Sequence, residues 1–205
     1  MQEFEDYTFI NSQPQMYQFI KERYPELYQK IKEKIVEGKW IPEGAMWVEA
    51  DCNLTSGESL VRQIFYGKKF FQDEFGIDSK ILWLPDVFGY SAALPQLLNK
   101  SHVPYFMTTK LSWNQYNQIP YDSFYWQGID GSRTLTHFIT TTSEGYSPTP
   151  HYTTYNGILD PYTIKKSWER YLDKDANDAI LLAYGYGDGG GGPTREMLEV
   201  LKRMK

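Results

Sequence analysis

Two short runs, Ala179 to Tyr184 and Ile81-Leu82-Trp83-Leu84, carry no charged residue and almost no polarity. A strand with one wet face alternates apolar and polar side chains, whereas a continuous apolar run needs cover on both faces. Neither run approaches the ~18 residues of a spanning helix. Helical patterns lie between and around them. The segment 14–22 is one, and a second is opened by Pro25, closed by Gly38 and carries Leu27, Ile31 and Ile35 on one side. Thr55 or Ser56 can cap a third helix, with Leu60, Ile64, Phe70 and Phe71 on its apolar side and Gly76 at its end. Others are expected from about Ser91 to Asn99, from Asp160-Pro161 with Ile164, Trp168, Tyr171 and Leu172 buried, and from Pro193 with Met197, Leu198, Leu201 and Met204.

Strands are expected at 7–10, 46–50, 80–85, 104–109 and 179–184, with a hairpin of 123–127 and 133–139 around Asp130-Gly131. Residues 140–157 form a long Thr/Ser/Tyr/Pro loop, of a length that is commonly either a functional lid or disordered. Apolar strands alternating with helices mean an α/β fold with parallel strands and outer helices. Either a barrel or an open doubly wound sheet satisfies the pattern, and the barrel is favoured.

The 205 residues make one domain, which buries roughly 70% of its unfolded surface without help from a disulfide or metal. A single Cys excludes a disulfide framework and a Cys-rich zinc module. The net charge of −5 argues against a nucleic-acid or anionic-membrane surface. Met1 is followed by Gln-Glu-Phe-Glu-Asp, without a basic and then apolar leader, so a cytoplasmic location is expected. Aromatic residues reach 17%, and such rings stack on sugar C–H faces. A Tyr-rich core accounts for that composition equally well.

Acidic residues follow the expected strands: Glu49 and Asp51 at 46–51, Asp86 after 80–85, and Asp188 after 179–184. Parallel strands would crowd these carboxylates on one rim, where α/β enzymes do their chemistry. Paired carboxylates suit glycoside hydrolysis. Singly, each is more ordinary as a helix or turn cap. Pro85 cannot donate to a ladder, so it ends its strand and puts Asp86 on the following loop. Asp188 sits among glycines in Gly185 to Gly192. No Gly-Lys-Ser/Thr follows, and an Asp would repel phosphate, so a nucleotide cradle is disfavoured. His102, His137 and His151 have no metal spacing among themselves. His137 could line the rim, and Cys52 paired with His137 as a thiol nucleophile is a remote option.

Met46-Trp47-Val48-Glu49-Ala50-Asp51, Ser56 to Gln63, Trp83 to Gln96 (WLPDVFGYSAALPQ), Lys110-Leu111-Ser112-Trp113-Asn114, Gly128 to Ser132 and Gly185 to Leu198 (GYGDGGGGPTREML) together resemble the catalytic domain of glycoside hydrolase family 38 α-mannosidases, of the bacterial and cytosolic type. The resemblance implies a portion of a seven-stranded (β/α) barrel and a retaining, zinc-dependent hydrolysis of terminal α-mannosides. It implies that Asp86 is the nucleophile and a zinc ligand, that Asp188 is the general acid/base, and that Lys110, Trp113 and Asn114 touch a mannose-containing oligosaccharide.

The family's His-x-Asp pair of the first barrel strand is missing. His102 precedes Val103-Pro104, His137 precedes Phe138-Ile139, and His151 precedes Tyr152-Thr153. A further metal-binding His expected downstream is missing too. With Asp86 alone of the implied ligands, residues 1–205 read as the central part of an incomplete catalytic barrel. That piece is expected to be inactive by itself, to lack stoichiometric zinc, and to self-associate through exposed barrel edges. A non-catalytic carbohydrate-binding piece is one alternative. A metal-dependent carbohydrate deacetylase is another, but it needs a His-x-x-x-His pair that does not occur.

Overall fold

The computed structural model describes residues 3–143 and 151–204. The chain divides into two compact units, 1–106 with 125–135, and 107–124 with 136–205. The fold is mixed α/β, as the apolar pattern implies.

The first unit begins with β1 (Phe9–Asn11), α1 (Pro14–Arg23), α2 (Pro25–Val36) and β2 (Trp40–Pro42). Pro14 and Pro25 each stand in a first turn, where a missing N–H costs nothing. β1 and β2 pair in parallel, with Phe9 opposite Trp40 and Asn11 opposite Pro42. Then come α3 (Gly57–Phe75), β3 (Ile81–Trp83) and α4 (Leu94–Lys100). Ser56 accepts the Ser59 N–H at the start of α3, and Gly76, with φ +72°, closes it. One core cluster joins Leu60 and Ile64 of α3 to Leu82, Leu84, Leu94, Leu98 and Phe106. Another gathers Tyr17, Tyr28, Ile31, Phe70 and Phe71. Tyr17, Tyr28, Phe70, Phe71 and Phe106 are thus core, whereas other rings, such as those of Phe88, Tyr116 and Tyr125, are exposed.

β4 (Tyr105–Thr108), β5 (Ser123–Gln127) and β6 (Arg133–Phe138) complete a four-stranded sheet of order β3-β4-β6-β5. The expected hairpin is present, turning through Gly131. The second unit also holds a short 3-10 helix, Lys110–Trp113, then α5 (Pro161–Arg170) and α6 (Arg195–Met204). Asp160 caps α5 by accepting the Thr163 N–H at 2.9 Å. Among the described residues the sheets have two and four strands and neither closes on itself. No helix of the described residues is long and apolar enough to cross a membrane.

Three expectations are corrected. Residues 46–48 are bends and 49–50 are irregular, not a strand, because Gln63 of α3 and Gln13 just before α1 take their backbone hydrogen bonds. The Trp47 N–H donates to Gln63 O, Val48 N–H to the Gln63 side chain, and Glu49 N–H to the Gln13 side chain. Residues 179–184 form no regular strand. Only Tyr184 bridges, in parallel to Gly157, and Leu181 is 39% exposed. The apolar run marks a backbone held at one end. In α5 the buried face is Thr163 and Ser167, while Trp168 and the following Leu172 are exposed. Both hydroxyls are satisfied, Thr163 through Asp160 Oδ2 and Ser167 through Thr163 O, so they pack inward without penalty. In the long loop, Thr142 bridges Thr153 antiparallel. Of the loop 140–157 to which the lid reading applies, residues 144–150 lie outside the described residues.

Candidate active site

Asp86 lies in the first unit, three residues past β3 and half-buried. Its N–H donates to Glu49 Oε1 at 2.9 Å, so the segment that fails to become a strand still delivers a carboxylate to Asp86. The loop is anchored at its far end by Tyr90. That residue bridges Cys52, donates its hydroxyl to Leu84 O at 2.9 Å, and sets its ring edge-on to Phe106 at 4.8 Å. Asp51, by contrast, is an exposed turn cap, accepting from the Asn53 and Leu54 N–H groups. Cys52 is 1% exposed and burial beside Asp51 pushes its thiol up to about 12, so it is no nucleophile at neutral pH.

Lys110, Trp113, Asn114 and Asp188 all belong to the second unit. Trp113 stacks on Tyr152 at 4.6 Å, donates its indole N–H to Thr153 O at 2.8 Å, and stays 38% exposed. The Lys110 ammonium lies 4.8 Å from the Trp113 ring centroid, a cation–π contact. The two thus form one platform, and Asn114 follows directly at the end of the 3-10 helix. Its side-chain oxygen caps the Tyr116 and Asn117 N–H groups, both at 2.9 Å, which makes it a turn former here.

Asp188 is exposed, at φ +52° in a tight glycine hairpin closed by the Tyr186–Gly192 bridge. Its Oδ1 accepts the Tyr155 hydroxyl at 2.6 Å and its Oδ2 accepts the Asn156 side-chain amide at 3.0 Å. Neither partner is signalled by the sequence beyond the Asn156-Gly157 turn dipeptide. His137 is a half-buried residue of β6. Its Nδ1 pairs with Ser123 Oγ at 2.9 Å, its Nε2 is buried without a hydrogen bond, and burial lowers its pKa. Nearby, Leu111, Ser112, Asp122, His151 and Arg170 line a cavity of about 380 Å³. Burial raises the Asp122 carboxyl and lowers the Arg170 guanidinium.

Among the described residues no group of three or more His, Cys, Asp and Glu stands together as a metal cage. Asp86 and Glu49 supply two carboxylates, short of the three protein ligands a zinc site ordinarily needs. The residues present do not by themselves fit zinc.

The sequence pattern of the glycosyl hydrolases family 38 N-terminal domain matches residues 1–205. Alpha-mannosidase G of Dictyostelium discoideum is 47% identical over 205 residues, spanning 100% of this chain and 18% of its own length. The alpha-mannosidase of Saccharomyces cerevisiae is 42% identical over 206 residues, again 100% of this chain and 18% of its own. The crystal structure of an alpha-mannosidase from Enterococcus faecalis shares the fold over 89% of this chain and 20% of that one, with a TM-score of 0.63 at 18% identity. The chain therefore spans about a fifth of the length of these relatives. It belongs to glycosyl hydrolase family 38, as part of its N-terminal domain.

Proposed function

We propose that this chain is part of a retaining, zinc-dependent α-mannosidase acting on terminal α-mannosides of oligosaccharides, with a cytoplasmic location. The observation that carries the reading is the identity to proteins named alpha-mannosidase along the whole chain. In the complete enzyme residues 1–205 are an incomplete portion of a seven-stranded (β/α) barrel. Asp86 is the nucleophile, with its loop fixed by Glu49 and Tyr90. Attack by its carboxylate on the anomeric carbon expels the leaving alcohol and forms a glycosyl ester, which water then hydrolyses. Asp188 gives the leaving oxygen its proton and later takes one from the water. Trp113 and Lys110 present a ring and an ammonium to the sugar, and Asn114 shapes the turn beside them. Asp86 would be one ligand of the zinc, which would act as a Lewis acid on the sugar hydroxyls beside the attacked carbon.

Asp86→Asn in the full-length protein tests the assignment. Hydrolysis is expected to collapse by at least about a thousandfold while mannoside binding persists in titration calorimetry. Retained hydrolysis overturns it. The deacetylase alternative predicts acetate release instead, and a purely sugar-binding piece predicts binding with no turnover in the parent.

A further inference from the structure

We infer that Tyr155 and Asn156 are positioning residues for Asp188, each holding one carboxylate oxygen so that the other lone pairs face the glycosidic oxygen; this rests on the acid/base role proposed above. The backbone brings them there. Gly157 pairs in parallel with Tyr184: its N–H donates to Ala183 O at 3.2 Å, and the Gly185 N–H donates to Gly157 O at 2.9 Å. A Cβ at Gly157 would lie 2.5 Å from Thr141 Cγ2 and 2.6 Å from Ala183 O, so no other residue permits this approach. The clamp sets the pair just before it, Tyr155 and Asn156, beside the pair after it, Gly187 and Asp188.

The Asn156 amide is fixed at both ends. Its oxygen accepts the Gly187 N–H at 2.9 Å while its NH₂ donates to Asp188 Oδ2, which settles its orientation. Its own N–H is tied to Thr154 Oγ1 at 2.9 Å. Asp188 is exposed and followed by Gly189 at φ +79°, so neither burial nor a stiff neighbour orients its side chain. Hydrogen bonds to an exposed carboxylate add little fold stability. What they fix is direction. As Asp188 transfers its proton, the C1–O bond breaks, the bonding pair leaves with the alcohol oxygen, and a carboxylate forms. Two donors already in place stabilise that developing charge without reorganisation. When Asp188 then accepts a proton from water, the same contacts keep it aimed.

The experiment compares kcat/KM of the full-length protein on a methyl α-mannoside, whose leaving group needs a proton, and on 2,4-dinitrophenyl α-mannoside, whose leaving group does not. Tyr155→Phe is expected to lose about tenfold or more on the first and less than about threefold on the second. Asn156→Asp keeps the acceptor for Gly187 but replaces the donor by a repelling carboxylate, and should show the same selectivity. Misfolding would lower both substrates equally. Asp188→Asn is the control. If it shows no leaving-group dependence, the acid/base role fails and the inference with it. If it does, but the Tyr155 and Asn156 variants affect both substrates alike or neither, the inference alone is overturned.

Discussion

His137 shows how burial sets a pH dependence. Its Nε2 has no hydrogen bond and desolvation lowers its pKa from the ordinary 6.5, with Asp173 opposing in part. The folded chain therefore binds fewer protons here than the unfolded one, so stability is complete above the ordinary imidazole range and declines as pH falls below it. Urea midpoints should drop between about pH 7.5 and about pH 5.5. His137→Gln should shrink that drop, and a variant keeping all of it would refute the assignment. The loop position of Asp86 was readable from Pro85, although β3 already ends at Trp83. Tyr155 was not, since its partner Asp188 lies 33 positions away and no local pattern records that pairing.

At the scale of elements, α3 was legible almost to the residue, since a Ser cap and a terminal Gly are local chemistry. The segment 46–50 was not, because side chains of Gln13 and Gln63 satisfy it instead of a neighbouring strand. The same packing makes Gly67 critical. A Cβ there would sit 2.2 Å from Ala45 O and 2.6 Å from the Met46 carbonyl carbon. Alanine favours an exposed helix by about 1 kcal/mol over glycine, but here backbone blocks it. Gly67→Ala should cost about 2 kcal/mol in equilibrium denaturation, the usual scale of overpacking. Stability equal to or above the parent's would contradict that contact. In α5 the helix was legible from Asp160-Pro161, but its inward face was not, because hydroxyls bonded within the helix carry no hydrophobic signal.

At the scale of the whole molecule, apolar surface remains: Phe65 is 59% exposed, Tyr66 50% and Leu181 39%. β3 and β5 end the four-stranded sheet. Unpaired strands and apolar patches recruit partners. The 205-residue chain should therefore sediment with concentration-dependent association, and a clean monomer at high concentration would count against it. Elemental analysis of the same chain should give well under one zinc per molecule, given the lack of a three-ligand cluster among the described residues. One zinc per chain would overturn that expectation. The family was legible in long motifs, whereas the pairing of segments far apart had to be seen. The division into two units also bears on synthesis. The first needs residues 125–135, where Trp126 packs on its core and Arg133 O and Thr134 Oγ1 receive the Asn99 amide. A ribosome adding roughly 5–20 residues per second must carry the chain past Leu135 before that unit can close. The nascent chain waits with its first core unfinished while part of the second unit has already been made.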